Sequence, residues 1–155
     1  GSGHRIVKTV FIECRAAART EGPDHLKPVG ETEFVAGEAQ RDPSHLIGAI
    51  VANADLRSSR LDEVLDAHEQ AGRGLFRGIR HALSSPLYPE TLRIPGRAPA
   101  GLAHDPAFRA GVRRLGERGL TYDTWHYHHQ NREFLDLARA VPKAAQTGII
   151  VEDIA

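Results

Sequence analysis

Phe76-Arg77-Gly78-Ile79-Arg80-His81 and Tyr122-Asp123-Thr124-Trp125-His126-Tyr127-His128-His129 decide the fold. Each begins apolar, runs on in residues suited to extended backbone, and stops at a cationic or aromatic-polar cluster. In a barrel of alternating strands and helices, reacting groups gather at the C-terminal ends of the strands. The pair therefore points to a site for a small molecule.

Working outward, the same alternation fills the chain. Ile6–Ile12, Leu46–Val51 and Gly148–Val151 are further β-rich runs, beside Leu75–Arg80 and Leu120–Tyr127. Helical patterns lie between them. Ser59 with Asp62 reads as a capping box ahead of Leu61, Val64, Leu65 and His68, which share one helical face. Asp105-Pro106 is an N-cap with a first-turn proline, Phe108, Val112 and Leu115 form the stripe, and Gly119 marks the stop. Gln130–Val141 repeats the pattern with Phe134, Leu137, Ala138 and Val141, and is expected to end before Pro142. Glu31–Gln40, with Phe34 and Val35, is a shorter helix. The order is parallel strands joined by crossover helices, an α/β chain. It predicts a partial TIM-type (β/α) barrel of about five strands over residues 1–155, one domain, completed by self-association. An open doubly wound sheet is the competitor, but no glycine-rich nucleotide turn follows the first strand.

Composition excludes several classes. Twenty basic residues balance twenty acidic ones, so no electrostatic footprint for nucleic acid or an anionic membrane exists. No apolar run reaches the roughly 20 residues that span a bilayer. A single cysteine, Cys14, fits a reducing, cytoplasmic compartment and excludes an internal disulfide framework. There is no methionine, which suggests a start that is processed, trimmed or replaced.

Arg80 is the first candidate for chemistry, because a fixed guanidinium offers a planar fork for a carboxylate. The ordinary alternative is an ion pair with a neighbouring acid. His81 points to the opposite side of an extended strand, so only one of the two lines the interior, and Arg80 is chosen. Tyr127 could donate to a carbonyl or carboxylate oxygen. His126 and His128 have the i, i+2 spacing of an H-x-H metal pair, but nine histidines make a chance pair unsurprising, and no metal is assigned. Glu13, Cys14, Asn53 and Asp55 follow the first two strands and could reach the same mouth. Cys14 beside Arg15 could carry a lowered pKa. His68, on an apolar helix face, is expected to be a packed core histidine.

The runs GHRIVKTVFIEC (3–14), PVGETEFV (28–35), IVANADL (50–56), FRGIRH (76–81) and DPAF (105–108), in this order, resemble the amidohydrolase superfamily. The resemblance is to the branch holding 2-pyrone-4,6-dicarboxylate and sugar lactonases, and it covers nearly the whole chain. It implies a (β/α)8 barrel that hydrolyses lactones or related esters and amides, several members without a tightly held metal. It assigns Arg80 to the substrate carboxylate and Tyr127 to substrate contact. His81, His128 and Asn53 join the expected binding set, and Tyr127 and Asp153 the catalytic one. Asp153 stands where the family has a histidine. The family's H-x-H strand and its catalytic aspartate have no counterpart here, so the chain resembles strands two to six of the barrel. Absence of a general base would remove about 10²–10⁴-fold in rate. The expected ligand is a small carboxylate, the expected assembly a homo-oligomer, and no cofactor is required, although a divalent metal is compatible.

Overall fold

The computed structural model describes residues 3–90 and 97–154, with the side chains of 151–154 outside that description. The proline-rich segment expected at Ser84–His104 therefore lies partly outside the described residues. Among the described residues strands and helices follow one another as β1 (Thr9–Ile12), α1 (Val29–Arg41), β2 (Ile47–Asn53), α2 (Leu61–Ala71), β3 (Phe76–Arg80), α3 (Pro106–Glu117), β4 (Thr121–His126), α4 (Asn131–Ala140), α5 (Pro142–Thr147) and β5 (Ile149–Ile154). The strands form one open sheet in chain order, and the β1–β2, β3–β4 and β4–β5 pairs are parallel. Crossover helices are what permit that pairing. Among the described residues no helix is long and apolar enough to cross a membrane.

Contacts group the chain into two compact units. The first holds residues 1–54 and 62–77. Here β1 is shorter than expected: Ile6 and Val7 are exposed ahead of it. Helix α1 starts two residues earlier than its periodicity suggested, at Val29 after Pro28. Val35 is buried against Ile50, whereas Phe34 is exposed. Val64, Leu65 and His68 of α2 are buried as the stripe requires. Just ahead of α2 the Ser58 hydroxyl accepts a turn bond from the Arg60 N–H at 3.1 Å.

The second unit holds residues 55–61 and 78–155. Its best-specified element is α3. Asp105 caps it by accepting from the Phe108 N–H at 2.9 Å. At the other end Gly119 takes φ +70°, the Leu120 N–H reaches the Leu115 carbonyl at 2.9 Å and the Gly119 N–H reaches Gly116 at 3.2 Å. These are the two bonds of a Schellman motif, which needs a residue in the left-handed region.

Two expectations are corrected here. The strand expected over Leu120–Tyr127 ends at His126, and the histidines that follow lie in a 3₁₀ turn over residues 128–130. The buried carboxamide of Gln130 holds that turn. Its Oε1 accepts from Ser85 N–H (2.9 Å) and Tyr127 N–H (3.3 Å), while its Nε2 donates to the Leu83 carbonyl (2.8 Å). Pro142 does stop α4, but it also starts α5, where the missing N–H of a first-turn proline costs nothing.

Candidate functional site

The register of β3 and β4 decides which side chains can meet. Gly78 pairs with Thr121, Ile79 with Tyr122 and Arg80 with Asp123. Successive residues of a strand face opposite sides. Tyr122 packs its ring edge against Phe108 of α3, with centroids 5.8 Å apart, and His126 stacks on Phe134 of α4 at 4.9 Å. That side is therefore the helix side. Gly78 and Arg80, with Thr121, Asp123 and Trp125, occupy the other face, the one that lines the interior when such a sheet closes.

Asp123 is the least expected member of this face. It is 2% exposed and accepts from the Thr121 hydroxyl at 2.9 Å. Burial pushes its carboxyl above the usual carboxylate range, and the Thr121 hydrogen bond and the Arg80 charge only partly offset this. Arg80 and Asp123 thus form an oppositely charged pair across neighbouring strands. Composition could not reveal it, because strand register is a long-range property. The clue was a lone acid two residues beyond Thr121 in an otherwise uncharged run.

Tyr127 follows β4 with extended backbone (φ −78°, ψ 152°). Alternation places it on the same face as Asp123 and Trp125, and its ring lies 5.7 Å from that of Trp125. Four residues of strand rise separate it from the level of Arg80, roughly 13 Å at about 3.3 Å per residue. The same face is shared, at different heights. His128 is exposed in the 3₁₀ turn, its ring edge-on to His129, which in turn stacks on Tyr127 at 5.7 Å.

His81 points to the helix side, as alternation required. Its Nδ1 accepts from the Leu56 N–H at 3.2 Å and its ring meets Phe108 at 5.2 Å. His126 is buried with Nε2 2.9 Å from Asn131 Oδ1. His126 and His128 therefore do not form the two ends of an extended H-x-H pair. Among the described residues no three His, Cys, Asp or Glu side chains come together as a metal group. Asp153 lies in β5, and its side chain is outside the described ones.

In the first unit, Asn53 ends β2 and lines a cavity of about 210 Å³ with Arg15, Ala18, Pro28 and Glu31. A larger one, about 680 Å³, includes Lys8, His45 and Leu75 and sits at the opposite, N-terminal end of β1 and β2, the end associated with stability. Glu31, 5% exposed, accepts from the backbone N–H groups of Cys14 and Ala16 and from the Cys14 thiol at 3.4 Å. That hydrogen bond pushes the Cys14 thiol up, against the lowered value expected from its neighbour Arg15. Sequence adjacency suggested the cation, and folding supplied the anion. His68, fully buried, is the core histidine its helix face implied. Its Nε2 lies 3.1 Å from the Asn53 carbonyl, which can only accept, so Nε2 carries the proton and Nδ1 accepts from the Thr32 hydroxyl at 2.9 Å.

No family profile matches the chain. A solved amidohydrolase of Burkholderia multivorans, with bound HEPES, superimposes with TM-score 0.59 at 22% identity, covering 88% of this chain and 39% of that one. The chain has the fold of part of that structure. A second crystal form of a B. multivorans amidohydrolase, with bound zinc, gives TM-score 0.49 at 19% identity over 91% of this chain and 51% of that one. Among curated sequences, uncharacterized protein y4mH of Sinorhizobium fredii is 35% identical over 137 residues. This chain spans 88% of itself in that match but 41% of the relative's length.

Proposed function

We propose that this chain forms the substrate-holding section of a hydrolase of the amidohydrolase and lactonase kind. The substrate is a small lactone or ester bearing a carboxylate. The observation that carries the reading is Arg80 at the C-terminal end of β3, on the face away from the helices and opposite a buried aspartate. A guanidinium held between strands binds a carboxylate through two parallel hydrogen bonds. Tyr127, on the same face but roughly 13 Å further along at about 3.3 Å per residue, is a second donor for the far end of the ligand, while His81 faces the helices behind Arg80 and His128 lies just beyond the end of β4. Asp153 is the candidate acid–base group from β5. In the reaction, water adds to the carbonyl, the ring C–O bond breaks, and a hydroxy carboxylate leaves. Residues 1–155 act as one partial barrel in this reading.

Calorimetry with glutarate as probe tests it. Arg80→Gln is expected to weaken binding at least about tenfold, the loss of one charge-assisted pair, and Tyr127→Phe by less. Equal affinity of Arg80→Gln and the unaltered chain would remove the reading. Turnover of simple lactones by this chain alone is expected to be weak or nil.

A second reading is a non-catalytic module that self-associates. Val10 on edge strand β1 is 57% exposed, and Ile150 on edge strand β5 is 44% exposed. Apolar edges of that kind invite a covering strand. Light scattering across a concentration series is expected to show a dimer or larger species. A mass equal to the single chain throughout would reject it.

A further inference from the structure

The 680 Å³ cavity at the N-terminal end of β1 and β2 plays no part in the lactonase reading. Its wall is apolar and incompletely covered. Ile47 and Leu75 pack against the buried cluster of Val35, Ala36 and Ile50, yet both stay half-buried. The side chains that α1 presents there, Ala36 and Ala39, are too short to cover them. Val10, on the same cavity, is 57% exposed. The volume falls within the roughly 300–1,000 Å³ of ordinary ligand pockets, which are apolar with a few placed polar groups.

The rim is cationic. Lys8 lays its stem across Gly48, where an added Cβ would come 3.1 Å from the Lys8 Cδ, and its ammonium donates to the His45 carbonyl at 2.6 Å. That bond leaves the ammonium further donors to offer. The Arg73 guanidinium donates from Nη1 to Gln40 Oε1, and Gln40 lines the cavity as well. No acid is among the described residues that line it. Two acids act on the rim from further off, Asp42 on His45 and Glu33 on Arg73. Both are engaged: Asp42 accepts from the Ser44 and Leu46 N–H groups at 2.9 Å, and Glu33 pairs with Arg19. The rim also holds strained backbone. His45 has φ +50° and Arg73 φ +49°, a region that favours glycine. Arg73 stands just past the end of α2, where glycine is the usual residue. Keeping an arginine there costs stability, and outliers of this kind gather at ligand clamps.

We propose that this cavity binds a single-chain anionic amphiphile, a medium-chain fatty carboxylate, with its head on Lys8 and Arg73 and its chain along Val10, Ile47 and Leu75. The lining runs from β1 across β2 to the start of β3. Two interstrand spacings span about 10 Å, which suits an extended chain of about eight carbons. The head is an anion because the rim carries two fixed cations and no acid of its own. The chain is alkyl because the half-covered wall offers it little to hydrogen-bond. The site stands on the first unit alone and does not depend on the Arg80 reading.

Calorimetric titration of the 155-residue chain with octanoate, hexanoate and octanol, at low salt and below micelle concentrations, is the test. Octanoate is expected to saturate. It should bind at least about fivefold more tightly than hexanoate, since two fully buried methylenes are worth about fifteenfold. Octanol, which lacks the charge, should bind at least about fivefold more weakly than octanoate. Arg73→Gly should weaken octanoate by a similar factor, with an unfolding temperature equal to or above that of the unaltered chain, because glycine suits the left-handed backbone. Val10→Glu, at an exposed position, should weaken octanoate by charge repulsion. Arg80→Gln should leave it unaltered. The proposal is overturned if octanoate does not saturate, if hexanoate or octanol binds as well, or if Arg73→Gly is silent. Loss on Arg80→Gln would assign the carboxylate to β3, upholding the lactonase reading while rejecting this one. Two other occupants have their own signatures. Without octanoate binding, a light-scattering mass that falls to the single chain in Val10→Glu would give the groove to a second copy. Co-sedimentation with phosphatidylglycerol vesicles, again without octanoate binding, would give it to a membrane surface. Either result rejects the proposal.

Discussion

Stability of the first unit is expected to fall by on the order of 3 kcal/mol as pH drops from about 6.5 to about 4. His68 sets this. Burial lowers its pKa from 6.5 to about 4, against the opposing hydrogen bond to the Asn53 carbonyl. The sign follows from which state holds the proton. Below pH 6.5 the unfolded chain protonates His68 while the folded chain keeps it neutral, so protons favour unfolding. The stabilisation is complete above 6.5, declines through the window, and is exhausted below about 4. Each pKa unit is worth about 1.4 kcal/mol. The groups that face the ring are the Thr32 hydroxyl, the Asn53 carbonyl and Phe76, stacked at 5.5 Å, with the charges of Arg19 and Glu31 further off. Urea melts of the unaltered chain and of His68→Gln at half-unit pH steps test the point. The variant should be less stable at pH 7.5, because a packed ring is lost, yet flatter between 6.5 and 4. Parallel curves would assign the acid sensitivity to other groups.

His68 also shows what kind of information the sequence carried. Its place on the apolar stripe of α2 was legible, because helical faces follow from spacing within about two turns. The caps of α3 were legible for the same reason: Asp105, Pro106 and Gly119 act on backbone groups a few residues away. Alternation likewise separated Arg80 from His81. What stayed hidden depends on distant partners. Asp123 gains meaning only through the register that sets it opposite Arg80. Glu31 reads in sequence as an ordinary acid in the first turn of a helix, suited to the dipole. In space it binds a loop that lies fifteen to seventeen residues earlier. The end of β4 was misread because Tyr127 and the histidines after it suit extended backbone, while the side chain that curls them, Gln130, takes two of its three bonds from residues 83–85. Local chemistry sets elements and their faces, and the candidate site is built from the long-range remainder.

Gly111→Ala is expected to be among the most damaging conservative substitutions in the second unit, and Gly37→Ala to have the opposite sign. Both glycines lie inside helices, where alanine is intrinsically favoured by about 1 kcal/mol. Around Gly37 nothing lies within 4 Å of an added Cβ, so α1 should gain that preference in full. At Gly111 the new carbon would sit 2.0 Å from the Leu56 carbonyl oxygen and 2.8 Å from its carbon. Those are backbone atoms and cannot rotate away. The Leu56 N–H is itself held by His81 Nδ1, so retreat of the loop also strips a half-buried acceptor. Overpacking of this kind costs about 3 kcal/mol at the upper end of its usual range, which exceeds the propensity gain. At about 2–4 °C per kcal/mol for a domain of this size, Tm should fall by several degrees for Gly111→Ala and rise slightly for Gly37→Ala. His81 is the residue after Arg80, so the same disturbance should reach the β3 end and weaken glutarate binding, which Gly37→Ala should leave alone. Equal Tm values for the two variants would show that α3 does not press on residue 56 and that His81 is not anchored there. The guanidinium at position 80 would then have no rigid support on the helix side.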